Sequence, residues 1–360
     1  MNKMLVKMMY GVIGLMQNKK ILVIKGTGGL GNRLRTLASA IQYAKTSDRA
    51  IYVDWRDGVY AKEGENAFDR YFELDGVERV ENIDWTKEKS FFPSIYSVIP
   101  PEEPLVKYFS EKLTPNRYVR KIVDATLDIL QRRMPISDKF DNVLCNASIR
   151  IKSYVLRDEY KKLWNKPENF PIGSHLARNI SEDVVVYADG APQYSAKLMQ
   201  NCIHLQGWIQ KKVDDFVAVN RINEKSVGIH IRGEGKKCIG DIERSIKKLR
   251  KFVDTHDVNK LYVCTDNADI EKMFVEEFGE MVIMQKKQLP QLEEGETGIH
   301  AHAWHSKESE LIDMMAEEAI IDMFALAQTT YLFWHAGSTF SEISKVYHHN
   351  RKNVKPWNLL

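Results

Sequence analysis

The stretch Ile21-Leu22-Val23-Ile24-Lys25-Gly26-Thr27-Gly28-Gly29-Leu30-Gly31 sets the reading of the N-terminal half. Four consecutive aliphatic residues fit a strand buried on both faces. The glycines after them allow a tight turn and a close approach of the backbone to a ligand. Beyond the turn, Leu34, Leu37, Ala38, Ile41 and Ala44 recur at the helical period and form one apolar face. A second apolar run, from Ala50 to Val53, ends at Asp54. This strand–turn–helix–strand unit predicts the start of a parallel sheet.

The C-terminal half repeats the pattern. Strands are predicted at Ser226–Ile231, Leu261–Cys264, Met281–Met284 and Tyr331–Trp334. Helices are predicted at Ile242–Val253, Ala268–Phe278, Ser309–Ala327 and Ser338–Val346. Strands alternating with helices of this length predict an α/β fold of doubly wound domains. The region from Tyr60 to Glu182 is less regular, with Phe91-Phe92-Pro93, Pro100-Pro101 and helical patterns at Arg117–Arg132 and Ile151–Leu163. Val184–Tyr187 reads as another buried strand. A chain of 360 residues exceeds the usual size of a single core. We therefore expect a leader over 1–20, an N-terminal domain over 21–218, a C-terminal domain over 219–347 and a tail over 348–360. Ligands in such sheets bind outside the carboxyl ends of the strands.

Composition narrows the function classes. Lys and Arg number 52 against 49 Asp and Glu, a formal charge of +3, which gives no general argument for nucleic acid. The four cysteines, Cys145, Cys202, Cys238 and Cys264, form no C-x-x-C pair and do not read as a disulfide framework. They fit a reducing compartment, and a bacterial-type cytoplasmic protein is the expectation ahead of one in the Golgi or ER lumen. The sequons at Asn146 and Asn179 would matter only in the lumen. The longest uncharged stretch of the leader, from Met8 to Asn18, is too short to span a bilayer and reads at most as a weak surface attachment.

Four places carry candidate chemistry. Gly26-Thr27-Gly28-Gly29-Leu30-Gly31 fits G-x-G-x-x-G, with Asp54 where a dinucleotide fold would place its ribose acid. Asn32, Arg33 and Arg35 follow in the first helical turn, where a cation opposes the helix dipole and an anionic ligand would give it a purpose. His230-Ile231-Arg232-Gly233-Glu234 leaves a strand, with His230 and Arg232 on one side of it and Arg232 able to grip a diphosphate bidentately. Thr265-Asp266-Asn267 follows the next strand and serves equally as a helix cap. Asp322 precedes the last strand, and Ser338-Thr339-Phe340-Ser341 opens the final helix with hydroxyls and amides suited to an anion. His300, His302 and His305, near Glu293, Glu294, Glu296 and Glu308, invite a metal reading but read better as a loop beside the site.

These motifs, in this order, resemble the fucosyltransferase superfamily that includes α1,6-fucosyltransferases, bacterial nodulation fucosyltransferases and protein O-fucosyltransferases. The resemblance rests on Gly28–Arg33, on Val53-Asp54-Trp55-Arg56, on Gly228–Arg232, and on Thr265-Asp266, Asp322 and Ser338–Ser341. It implies a GT-B fold of two Rossmann-like domains facing a cleft. It implies an inverting, metal-independent transfer of L-fucose from GDP-fucose to a glycan acceptor, α1,6 to N-acetylglucosamine among the linkages, with no cofactor. Carried over, Arg232 would hold the diphosphate and His230 would support it. Asp322 would contact the guanine or its binding loop. Thr265, Asp266, Ser338, Thr339, Phe340 and Ser341 would complete the donor site. Gly28, Gly29, Gly31, Asn32 and Arg33 would close on it. Asp54 and Glu234 are candidate bases, with Asp57 beside them. Gly233 stands where several relatives carry a second basic residue. Two other readings remain open, an NAD(P)-dependent oxidoreductase built on the glycine turn and a non-catalytic carbohydrate-binding relative.

Overall fold

The computed structural model describes residues 19–26, 28–62, 64–88, 90–92, 180–188, 194–232, 239–287 and 309–357. The helices expected at 117–132 and 151–163 lie outside them, as do Glu234 and the three histidines at 300, 302 and 305. In chain order the elements are β1 (Ile21–Lys25), α1 (Leu30–Ser47), β2 (Ala50–Asp54), α2 (Ala67–Tyr71), β3 (Phe72–Leu74), β4 (Phe91–Phe92), β5 (Val184–Tyr187), α3 (Ala196–Cys202), β6 (Ile203–Leu205) and α4 (Gly207–Asn220). The C-terminal half continues with β7 (Ser226–Ile231), α5 (Ile239–Thr255), β8 (Lys260–Thr265), α6 (Ala268–Phe278), β9 (Val282–Ile283), α7 (Ser309–Leu326), β10 (Tyr331–Trp334), α8 (Thr339–Tyr347) and β11 (Val354–Pro356). No helix among the described residues is long and apolar enough to cross a membrane.

The chain forms two compact units that interleave in sequence. The first takes residues 1–25, 43–52 and 78–188; the second takes 26–42, 53–77 and 189–360. The expected division at 218/219 thus falls inside the second unit, because the glycine turn and the first turns of α1 pack with the C-terminal half.

The first unit is built on a sheet of order β2-β1-β5-β4. β1 pairs in parallel with β5, Ile21 opposite Val184, and β4 pairs in parallel with β5. Every residue of β1 and β5 is buried, which is why both segments are continuous aliphatic runs rather than alternating ones. Arg49 locks this sheet. Its buried guanidinium donates to the carbonyls of Ile180 (2.6 Å), Glu182 (2.8 Å), Asp183 (3.2 Å) and Ile21 (3.3 Å), tying the starts of β1 and β5 together.

The second unit holds a five-stranded parallel sheet of order β11-β10-β7-β8-β9. Counted from β7, this is the 3-2-1-4-5 order of a Rossmann sheet, with its switch point between β7 and β10. Val227, Ile229, Ile231, Leu261, Val263 and Phe333 fill the core with Ile242, Ile246, Leu249 and Val253 of α5 and Ile270, Phe274 and Phe278 of α6. Residues 354–356, expected in a tail, form the edge strand β11, and Trp357 is buried in the same core. A three-residue edge strand is below the length that patterning can resolve. The second unit also contains the short antiparallel pair β3–β6, Phe72 opposite Leu205.

Candidate functional site

A single pocket collects the motifs of the second unit. It is lined from the glycine turn by Gly29, Leu30, Gly31 and Asn32, and from the following segment by Val59 and Tyr60. From the sheet come His230 and Arg232 at the end of β7 and Cys264, Thr265 and Asp266 at the end of β8. Lys287, then Met315, Ala316, Glu318, Ala319 and Asp322 of α7, and Ser338, Thr339 and Phe340 at the start of α8 close it. The pocket therefore sits outside the carboxyl ends of β7 and β8, beside the switch point, where open α/β sheets bind ligands.

The approach of α1 to α8 depends on Gly31. A Cβ there would overlap the Thr339–Phe340 peptide, so two helix N-termini, both rich in unpaired N–H groups, come together only because residue 31 has no side chain. Gly28 has φ +63, the left-handed conformation that glycine adopts without strain. The Tyr60 hydroxyl accepts from the Leu30 amide at 2.7 Å and so caps the start of α1. Burial pushes that hydroxyl's pKa up to about 12, so Tyr60 stays neutral.

At the start of α8, Ser338 is the N-cap but makes no side-chain capping bond, although it is buried. Ser341 is used differently. Its buried hydroxyl accepts from the His335 amide (3.1 Å) and donates to the His335 carbonyl (3.4 Å), shaping the turn rather than lining the pocket. His230 packs its ring against Phe340 at 5.0 Å and edge-on to His335 at 6.2 Å. Its Nδ1 has no hydrogen-bond partner among the described residues. Burial first, then the nearby His335, Lys287 and Arg232, hold its pKa well below the ordinary value of 6.5, so it is a neutral imidazole.

After β8 the two roles expected of the Thr265-Asp266-Asn267 turn are divided. Asn267 caps α6 by accepting from Asp269 (2.9 Å) and Ile270 (3.2 Å), and Thr265 Oγ1 accepts from Asn267 at 3.3 Å. Asp266 faces the pocket.

The floor is a buried charge cluster. Asp322, 4% exposed, accepts from the Tyr262 hydroxyl at 2.6 Å and from Lys287 Nζ at 2.6 Å. The Gln285 amide, with its nitrogen turned inward, donates to Asp322 at 2.6 Å and to the Glu318 carbonyl at 3.1 Å. Lys287 is raised despite its burial because Asp322 stands against it. Tyr262 and Cys264 are pushed well up, first by burial and then by the Asp322 charge. Glu318, one helical turn before Asp322, is pushed up to about 7, by burial first and then by Asp322.

Several residues singled out from sequence, Arg35, Asp57 and Asn267 among them, do not line this pocket. Arg33 is fully buried, forms a two-pronged pair with Asp57 (3.1 and 2.5 Å), donates to the Gly28 carbonyl at 3.1 Å, and lies over the rings of Tyr60 and Trp55. Asp54 is buried and accepts from Arg56 Nε at 2.8 Å. Gly28 and Ser341 shape the turns behind the lining. The contributors that sequence reasoning missed are Tyr60, Lys287 and Glu318. None has a motif, and Lys287 gains meaning only through Asp322, 35 residues away. Among the described residues, no group of three or more His, Cys, Asp or Glu side chains could hold a metal ion.

No protein-family model and no curated protein sequence matches the chain. Solved structures do. A NodZ α-1,6-fucosyltransferase soaked with GDP-fucose aligns over 91% of this chain and 92% of its own, with a TM-score of 0.55 and 17% identity. The fucosyltransferase NodZ from Bradyrhizobium aligns over the same shares with a TM-score of 0.54 and 17% identity. NodZ α-1,6-fucosyltransferase co-crystallised with GDP gives a TM-score of 0.53 at 16% identity, over 91% and 92%. With its two parallel sheets, the chain has the GT-B fold of these fucosyltransferases.

Proposed function

We propose that this chain is a glycosyltransferase that moves L-fucose from GDP-fucose to a glycan acceptor, with inversion at the sugar carbon and without a metal. The observation that carries the reading is the convergence of Arg232, Asp266, Ser338–Phe340 and Gly29–Asn32 on one pocket at the switch point of a Rossmann-ordered sheet. Its fold is shared with a fucosyltransferase whose crystals were soaked with GDP-fucose.

Departure of GDP develops negative charge on the diphosphate while the fucose carbon becomes oxocarbenium-like. In our reading Arg232 and the α8 N-terminus meet that charge. The Ser338 hydroxyl, unused as a cap, and the first amides of α8 add donors aimed at an anion. A neutral His230 in the same pocket adds no further cation to Arg232 and Lys287. Of the three carboxylates proposed as base, Asp54 is committed to Arg56 and Asp57 to Arg33. That favours Glu234, two residues beyond Arg232, for acceptor deprotonation.

The test is a binding titration against GDP, GDP-fucose, GDP-mannose, UDP-glucose and NADH, repeated with EDTA. Selective binding of GDP and GDP-fucose that survives EDTA is the expected result. Preference for NADH would return the glycine turn to the oxidoreductase reading. Loss of GDP binding on chelation would remove metal independence.

A further inference from the structure

We propose that the outer face of α5, with Lys355 of the edge strand β11 beside it, is a surface that docks on an anionic lipid bilayer. It shares no residue with the donor pocket.

The sequence of α5 divides its residues between two faces. Ile242, Ile246, Leu249 and Val253 recur at the helical period and are buried in the core of the second unit. Arg244, Lys247, Lys248 and Lys251 recur at i, i+3, i+4 and i+7 and are exposed on the opposite side. None of these four side chains forms an ion pair among the described residues. Neighbours three and four apart on this stripe carry like charge, which disfavours the helix. The repulsion weakens α5 in the free chain and is relieved when an anionic surface lies against it.

Lys355 widens the stripe. It is exposed, and its Nζ stands over the Phe252 ring at 5.7 Å, one helical turn along from Lys248. The pairing of β11 with β10 puts Lys355 opposite Phe333, and Phe333 packs edge-on against the same Phe252 ring at 5.1 Å. Five cations thus lie on one side of the unit. The four on the helix span about 10 Å, close to the Debye length at physiological salt, so they act together on a charged surface.

The surrounding charges select an orientation. Glu243 and Asp254 are exposed on the flank of α5 away from Lys355. On that flank Arg250 bonds Glu277 of α6 at 3.0 Å, and α6 exposes Glu276 beside it, paired with Lys272. On the Lys355 side, the exposed His256 stacks on Phe252 at 3.8 Å. A planar anionic surface is therefore drawn to the α5–β11 side and repelled from the α6 side.

A bilayer suits the stripe better than a protein or a nucleic acid. The aliphatic residues of α5 are buried in the core, and Phe252 lies under Lys355 and against His256. The stripe thus offers no exposed aromatic or aliphatic anchor of the kind that dominates protein interfaces. Four of its five cations are lysines. Ammonium groups are point charges that suit a sheet of headgroups, whereas the guanidinium fork is the group that grips individual phosphates.

The experiment is co-sedimentation of the full chain with vesicles of phosphatidylcholine alone and of phosphatidylcholine with about a third phosphatidylglycerol, at about 0.1 M and about 0.5 M NaCl. The wild type should bind the anionic vesicles, leave the neutral ones, and lose binding at the higher salt. Each basic residue near an anionic surface contributes about fivefold in binding constant, so Lys248→Gln with Lys251→Gln should weaken binding about 25-fold. Lys211→Gln with Lys272→Gln removes the same charge from α4 and α6, where each lysine is already paired, and should bind as the wild type does. A wild type that ignores the anionic vesicles overturns the proposal. So does a Lys248/Lys251 variant that binds in full, which places the contact elsewhere, or an equal loss in both variants, which makes net charge alone responsible. Stripe-dependent binding to polyuridylate or polyglutamate without binding to vesicles also overturns it and assigns the stripe to a soluble polyanion.

Discussion

The turn after β1 and the strand ends of the C-terminal sheet both place an arginine beside a helix N-terminus, but they hold it in opposite ways. Arg33 is sealed between Tyr60 and Trp55 with both prongs of its guanidinium on Asp57 and its Nε on the Gly28 carbonyl. Arg232 is half-buried and lines the pocket. One organises the backbone that approaches the ligand, and the other is positioned to meet the ligand's charge. An arginine at an anion-binding turn thus has two distinct uses, and burial with a dedicated carboxylate separates them.

The largest effect should come from breaking the sealed pair. Arg33→Ala leaves Asp57 largely buried without its cation and empties the space between two aromatic rings. Removing one partner of such a pair costs about 3–5 kcal/mol. Urea denaturation should show that loss, and a change below about 1 kcal/mol would mean that Asp57 is hydrated and the pair is not structural. Arg232→Ala tests the other half of the comparison. Removing one preorganised donor to a leaving group raises the barrier by about 3 kcal/mol, roughly a hundredfold in rate. GDP release from GDP-fucose should fall by that factor while the urea midpoint stays close to wild type. An active Arg232→Ala enzyme would take the diphosphate role away from it.

A third substitution joins the two regions. Gly31→Ala inserts a methyl group against the Thr339–Phe340 peptide, which is backbone and cannot rotate aside. Overpacking of this kind costs about 1–3 kcal/mol. The separation of α1 from α8 that relieves it should weaken GDP binding as well as stability. Lowered stability with unchanged GDP affinity would show that the proximity of the two helix N-termini is structural only.

The same comparison explains what the sequence could disclose. The strands and helices around both regions were legible because buried parallel strands are uniform aliphatic runs and the helices carry one apolar face. β5, β7, α6 and β10 have the boundaries that patterning predicts. Motif order pointed to the pocket because glycines, strand-end polar groups and a Ser-Thr helix start sit next to recognisable elements. Arg33 and Arg232 could not be told apart, since nothing local to Arg33 announces Asp57, 24 residues away, as its partner. Lys287 is illegible for the same reason: a lysine after a short strand is ordinary until Asp322, 35 residues away, pairs with it. Glu318 is ordinary as a glutamate on a helix, and only the fold places it at the pocket. Asp322 itself stands out by its place in a motif, while its bonds to Tyr262 and Lys287 emerge only from the fold.

The smallest effect separates the pocket's neutral histidine from its charged neighbours. His230 is buried next to Arg232 and Lys287, and its pKa is depressed below 6.5. In the folded chain it resists protonation, whereas in the unfolded chain it takes a proton as the pH falls through about 6.5. The unfolded state then binds more protons, so stability is intact above that pH and is lost progressively below it. For one such group the loss is about 1 kcal/mol at pH 6 and grows with further acidification. His348, depressed to about 4 by burial first, acts in the same sense. His230→Asn should therefore flatten only part of the acid-side slope, and adding His348→Asn should flatten more of it. The slope of stability against pH is the proper readout, because losing the ring contact with Phe340 lowers stability equally at every pH. An unchanged slope in His230→Asn would show that the imidazole does accept a proton in the folded pocket, and that it adds a further cation to Arg232 and Lys287.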